Sequence, residues 1–179
     1  MEWKVLKSRY ISRDKPWFTA RVDTVKLPNG EVLENYYVLE YPDWVTVIAI
    51  TEEDQFVFIE QYRHAYGVTA FELSAGVIDE DDESPLVAGQ RELLEETGFG
   101  GGQWSHLTNL CANPGTHTNT VHTYVAKGVQ KIEEQSLDRT EDINVRLFSR
   151  EEVLQMIKKD ELVQALHVAA LLKYFHFSA

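Results

Sequence analysis

Glu92, Glu95 and Glu96 crowd the end of a segment, Ser84–Gly98, whose pattern is helical. At about 100° per residue, Glu92 and Glu96 stand one above the other with Glu95 beside them. Like charges so placed repel by a few tenths of a kcal/mol per pair, roughly. They also stand toward the helix C-terminus, where the macrodipole disfavours anions. A hard divalent cation relieves both penalties, because Mg²⁺ and Mn²⁺ take oxygen ligands. A merely solvated acidic face is the plainer alternative. Arg91 can brace the cluster by pairing with Glu95 one turn on, or with Glu83 across the preceding loop. Leu86, Val87, Gln90, Leu93, Leu94 and Thr97 are expected to share the opposite, core-facing side.

The elements that must hold this helix are legible on either side of it. Ser84 can cap it, Pro85 suits its first position, and Gly98 can end it after about Thr97. An acidic loop, Asp79 to Glu83, leads in. Strands are expected over Trp3–Ser12, Trp17–Leu27 and Glu31–Tyr41, with Pro28-Asn29-Gly30 as a hairpin turn. Trp44–Thr51 and Gln55–Arg63 form a second pair around Glu52-Glu53-Asp54. Their continuous apolar centres predict strands buried on both faces. Ala70–Leu73 reads as a short strand running into Gly76. Further strands are expected near Trp104–Ala112, Val121–Val129 and Asn144–Phe148, with a polar loop from Gln130 to Asp142. Ser149-Arg150-Glu151-Glu152 is a capping box opening a helix to about Lys159, and Leu162–Phe175 reads as a buried final helix. This order predicts mixed α/β packing.

The 179 residues carry a formal net charge of −12. Such acidity argues against nucleic acid as a partner, since phosphate binding there draws on clustered Lys and Arg. No apolar run approaches a membrane span, and no secretory signal opens the chain. Cys111 is the single cysteine, so no intrachain disulfide forms; a cytoplasmic setting is expected. His117 and His122 do not have the spacing of a zinc motif.

From Gly76 the sequence reads six residues, Glu83, seven residues, then Arg91-Glu92-Leu93-Leu94-Glu95-Glu96-Thr97-Gly98-Phe99. This resembles the Nudix box, with one residue more than the family pattern between the glycine and the first glutamate. The extra residue is placed in the loop at Asp79–Asp82, because inside the helix it would rotate the carboxylates by about 100°. The resemblance implies a Nudix-type α/β/α sandwich with a mixed sheet over residues 44–179. The N-terminal antiparallel strands, residues 1–43, would be an added dimerisation region. It also implies that Glu92, Glu95 and Glu96 hold Mg²⁺, with Mn²⁺ an alternative, helped by the backbone carbonyl of Ala75. Glu83 and Arg91 would support them.

The resemblance extends through Gln61-Tyr62-Arg63 and Phe71–Asp79 to the ADP-ribose and nucleotide-sugar pyrophosphatase branch, and Pro114 lies fifteen residues after Phe99, as in that branch. Arg63, Glu72, Trp44 and Pro114 are therefore candidate substrate contacts. Arg63 could grip a phosphate oxygen bidentately or form a surface ion pair. Trp3, Tyr10, Trp17 or Trp44 could stack on a base, or be ordinary sheet aromatics. In the loop before the last core strand, Glu141 matches a branch glutamate by position, while Arg139 stands where a second can occur. Glu141 could activate water, bind a further metal, or do neither. The implied activity is hydrolysis of a nucleoside-diphosphate sugar, ADP-ribose or an ADP-sugar, by a homodimer. GDP-mannose and a nucleotide-sugar sensor without catalysis remain alternatives; the intact glutamates favour catalysis.

Overall fold

The computed structural model describes residues 1–177. Its chain forms two compact units, residues 1–43 with 111–120, and residues 44–110 with the chain from 121 onward. In the first, β1 (Lys4–Asp14), β2 (Phe18–Lys26) and β3 (Val32–Glu40) make an antiparallel sheet in that order. The expected turn closes β2 onto β3: Leu27 and Glu31 pair through their backbones, Gly30 takes φ 93°, and Asn29 Oδ1 accepts from the Glu31 N–H. The segment Cys111–Thr120 adds to β3, with Leu39 N–H donating to Thr116 O at 2.8 Å and Thr118 N–H to Leu39 O at 3.2 Å. Almost every residue of β1 is exposed.

The second unit contains β4 (Trp44–Thr51), β5 (Phe56–Arg63), β6 (Val68–Glu72) and β7 (Ser74–Val77), then α1 (Pro85–Thr97). There follow β8 (Phe99–Gly100), β9 (Gln103–Leu110), β10 (Val121–Lys131), β11 (Ile143–Phe148), α2 (Arg150–Lys158) and α3 (Ala165–Phe177). The sheet runs β11-β5-β4-β10-β8, with β6 on β5, β7 on β4 and β9 on β10. β4 and β10 pair in parallel and the other pairings are antiparallel, so the sheet is mixed. Alternation along β4 builds the layers. Val47 and Ala49 pack with Leu93, Phe99, Ala126 and Val129 on the α1 side. Ile48 and Ile50 pack with Phe58, Leu73, Val153, Met156 and Leu171 on the α2 and α3 side. Each of these side chains larger than alanine contributes about 1.5–3 kcal/mol by burial. Among the described residues no helix is long and apolar enough to cross a membrane.

The structure departs from the sequence reading in three places. The single strand expected at Ala70–Leu73 is two, β6 and β7, broken at Leu73. Its N–H leaves the sheet and donates to Nδ1 of the buried His167 at 3.2 Å. Burial pulls that imidazole down to about 4, so it is neutral and free to accept. The last helix starts at Ala165 rather than Leu162, where Gln164 Oε1 accepts from the Leu166 N–H. The inward face of α1 is also not the one expected. Val87 and Gln90 are exposed, and Ala88, Gly89, Leu93, Glu96 and Thr97 are buried. Gly89 suits this face: a Cβ there would come within 3.1 Å of Val45 Cγ2, so its absence eases the close packing of the helix on β4 along the Gly89–Leu93–Glu96 stripe. Turning this stripe inward carries Glu96 into the interior.

Candidate active site

Arg91 is the hub of the site. Its Nη1 donates to Glu92 Oε1 at 2.9 Å and to Glu95 Oε2 at 3.1 Å. Its Nη2 donates to the Val77 carbonyl at 3.0 Å and to Asp82 Oδ2 at 2.8 Å, and its Nε donates to Asp82 Oδ1 at 3.2 Å. One guanidinium thus ties β7, the acidic loop and α1 together, using the rigid fork that suits paired carboxylates. The loop partner is Asp82, not Glu83. Asp82 is nearly buried and its carboxyl is held below the usual range, chiefly by the Arg91 hydrogen bonds, whereas Glu83 is exposed. Five residues separate Gly76 from Asp82, so the family spacing is kept there. The extra residue therefore falls after Asp82, where the chain turns into the helix, and the earlier placement at Asp79–Asp82 is corrected.

Glu92 and Glu96 lie where carboxylates are costly. Burial pushes Glu96 up to about 8, against the pull of Ser74 and the Ala75 amide, and Glu92 adds to the rise. Burial pushes Glu92 up to about 7 in spite of Arg91, with Glu95 and Glu141 raising it further. Ala75 N–H donates to Glu96 Oε2 at 3.2 Å. A Cβ on Gly76 would sit inside the Glu92 carboxylate, so the glycine is what lets that group lie on the β7 backbone. Glu95 stands half exposed beside them. Among the described residues no three His, Cys, Asp or Glu side chains stand together closely enough to hold a metal ion by themselves. Mg²⁺ does not require such a set, since it keeps waters and uses one or two carboxylates plus substrate oxygens. One buried and one partly buried carboxylate, both proton-seeking, and a third at the rim, all oxygen donors, fit such a cation.

The carbonyl end of α1 is held by the loop that follows β10. Ser136 N–H donates to Glu95 O at 2.9 Å, Gln135 Nε2 to Glu96 O at 2.6 Å and Lys131 Nζ to Thr97 O at 3.1 Å. Ile132 and Glu133 donate their N–H groups to Gly98 O at 2.9 and 3.2 Å. Glu141, further along this loop, is exposed, and its Oε2 accepts from the Asp138 N–H at 2.9 Å. Its charge reaches both Glu92 and Glu96. Glu134 lies 3.8 Å from Lys131 Nζ.

The remaining candidates are placed as follows. Arg63 donates bidentately to the buried Glu72, Nε to Oε1 at 2.8 Å and Nη2 to Oε2 at 2.5 Å. It also feels the Glu96 charge. Glu72 is thereby committed to fixing Arg63. Trp44 opens β4 in register with Val77 and Val121. Pro114 lies in the first unit, in a turn closed by Asn113, whose carbonyl accepts from Thr116 and His117. Trp3 packs edge-on to Tyr36, and Arg13 lies over the Tyr10 ring, both in that same unit. Reading the sequence preferred Glu83 to Asp82, although the spacing from Gly76 marked Asp82, because Glu83 keeps the spacing to Arg91. It missed Gln135, which no motif marks.

A family model described as the NUDIX domain matches residues 40–170, and one described as the nucleoside diphosphate sugar hydrolase N-terminal domain matches residues 3–39. The chain is 37% identical to a methanol dehydrogenase activator of Bacillus methanolicus, over 84% of this chain and 81% of that one. It is 29% identical to an ADP-ribose pyrophosphatase of Mycobacterium tuberculosis, over 87% and 75%. It is 30% identical to a GDP-mannose pyrophosphatase of an Enterobacter species, over 98% and 95%. A crystal structure of an ADP compounds hydrolase has the same fold, with a TM-score of 0.86 at 22% identity, over 99% of this chain and 94% of that one.

The Arg91 geometry separates two neighbouring acids. Asp82→Asn should weaken Mn²⁺ binding about 10-fold or more, as loss of a partner behind metal ligands does. Glu83→Gln should change it less than about twofold. Titration of both variants by electron paramagnetic resonance checks this, and equal effects would contradict the Asp82 assignment.

Proposed function

The chain belongs to the Nudix family, and from that premise we propose that it hydrolyses the diphosphate of nucleotide sugars, ADP-ribose foremost, using Mg²⁺. The observation that carries this reading is the intact carboxylate set on α1, with Glu96 buried and Glu92 partly buried at a cost that a cation would remove. Glu92, Glu95, Glu96 and the Ala75 carbonyl are the groups that would hold it. A divalent cation bound there supplies charge against the diphosphate and acidifies a water. Arg91 keeps Glu92 and Glu95 oriented. Arg63, one edge of its fork taken by Glu72, offers the rest to a phosphate oxygen. Glu141 is exposed and outside the Arg91 set, which suits it to take the proton of the attacking water. The new P–O bond forms as the bridging P–O bond breaks, leaving a nucleoside monophosphate and a sugar phosphate. Trp44, which opens β4 in the same unit, is a further contact to the substrate. The free thiol of Cys111 suits a reducing cytoplasm.

Adenine is favoured by the relatives named for ADP-ribose; the relative matched over nearly its whole length is named for GDP-mannose, and that makes GDP-mannose the second reading. Hydrolysis of ADP-ribose, GDP-mannose, UDP-glucose and ATP with Mg²⁺ decides between them. ADP-ribose should have the highest kcat/KM, ATP should be poor, and excess chelator should abolish all turnover. A preference for ATP, or full activity in chelator, would overturn the proposal.

The three-stranded sheet supports a homodimer. Trp3, Val5, Leu6, Ile11, Trp17 and Phe18, in its strands or beside them, are all exposed, apolar area of the kind a second copy of this chain would cover. Light scattering at micromolar concentration should give twice the chain mass; a monomer mass rejects the dimer and leaves the chemistry standing.

A further inference from the structure

We propose that Gln135 is a positioning residue that sets where Glu141 stands relative to the carboxylates of α1. The inference rests on the proposed hydrolytic role of Glu141. One side-chain amide nitrogen, Gln135 Nε2, donates to the carbonyl of Glu96 at 2.6 Å and to the carbonyl of Ile143 at 3.1 Å. The first carbonyl belongs to the most deeply buried of the clustered glutamates. The second opens β11, two residues past Glu141, in register with Gln61. An amide NH₂ has two hydrogens to give, and both are used.

The two carbonyls are the roots of the segment that carries Glu141. At one root, Ser136 N–H donates to Glu95 O. At the other, Ile143 is buried at the start of a core strand. Between them the chain closes a small turn, with Glu141 N–H donating to Asp138 O and Asp138 N–H to the Glu141 carboxylate. The loop is pinned to α1 at several points and β11 to β5, but Gln135 is the side chain whose one nitrogen ties the two roots directly to each other, across the base of the Glu141 turn. The Glu96 carbonyl, in the last turn of the helix, has no intrahelical donor and depends on this contact. Without it the roots can separate, and a shift of about 1 Å in a reacting group can cost about 100-fold in rate.

A bare capping role would support the helix without regard to Glu141, and a double-variant cycle tells the two apart. The full-length protein is compared with Gln135→Leu, Glu141→Gln and the pair, using ADP-ribose and Mg²⁺. Gln135→Glu, which keeps the shape and loses the donors, serves if the leucine variant does not fold. The Gln135 variant should lower kcat by about 10- to 100-fold with KM within a few-fold. Amide hydrogen exchange should quicken over 138–142 while α1 stays protected. In the Glu141→Gln background the same substitution should cost less than about threefold, because the group it positions is already gone. An equal loss in both backgrounds would overturn the positioning role, as would unchanged exchange over 138–142. A Glu141→Gln protein within a few-fold of wild type would overturn it too, while leaving the hydrolytic reading intact. Absence of hydrolysis by the wild type would instead remove the proposed function itself, and with it this inference.

Discussion

Three carboxylates at the negative end of one helix, one of them buried and another largely so, are the constraint around which the second unit is organised. Each like-charge neighbour, the macrodipole and desolvation act in the same direction. Burial drives Glu96 to about 8 and Glu92 to about 7, so near neutrality these groups hold negative charge only against resistance. A chain of net charge −12 offers little relief from a distance. Relief comes locally, from Arg91 on the loop side and from the donors of the following loop on the carbonyl side. A divalent cation supplies what remains under the proposed function.

Glycine and sheet geometry make that crowding possible. Gly89 eases the close packing of α1 on Val45 and Val47, with the Leu93–Glu96 stripe inward. Gly76 leaves room on β7 for the Glu92 carboxylate. Gly98, at φ 71°, ends the helix and turns its carbonyl to Ile132 and Glu133. The break at Leu73 matters for the same reason. By sending one N–H to His167, the chain ends β6 at Glu72, where the carboxylate fixes Arg63, and restarts as β7 with Ala75 facing Glu96.

The elements and the acidic helix could be read in advance because they rest on local signals. Ser84, Pro85 and Gly98 bounded α1, Pro28-Asn29-Gly30 marked the hairpin, and continuous apolar runs marked β4 and β5. What could not be read depends on contacts distant in sequence. The inward face of α1 packs Gly89 against β4, and the helix's own apolar residues do not mark it. Glu83 and Asp82 are adjacent acids, and only the fold shows which one Arg91 takes. Gln135 lies in a polar stretch with no motif, and its role exists only because Glu96 and Ile143 come together there.

Replacement of Glu96 by glutamine tests the central claim most directly, because the amide keeps the shape and the acceptor for the Ala75 N–H but loses the charge. Steady-state hydrolysis of ADP-ribose with Mg²⁺, measured beside thermal unfolding, reads both consequences. The account predicts that kcat falls about 10²-fold or more while the metal-free Tm holds or rises, since the buried carboxyl that is charged only against resistance has been replaced by a neutral amide. Activity within a few-fold of wild type would contradict the claim that these carboxylates hold the catalytic cation.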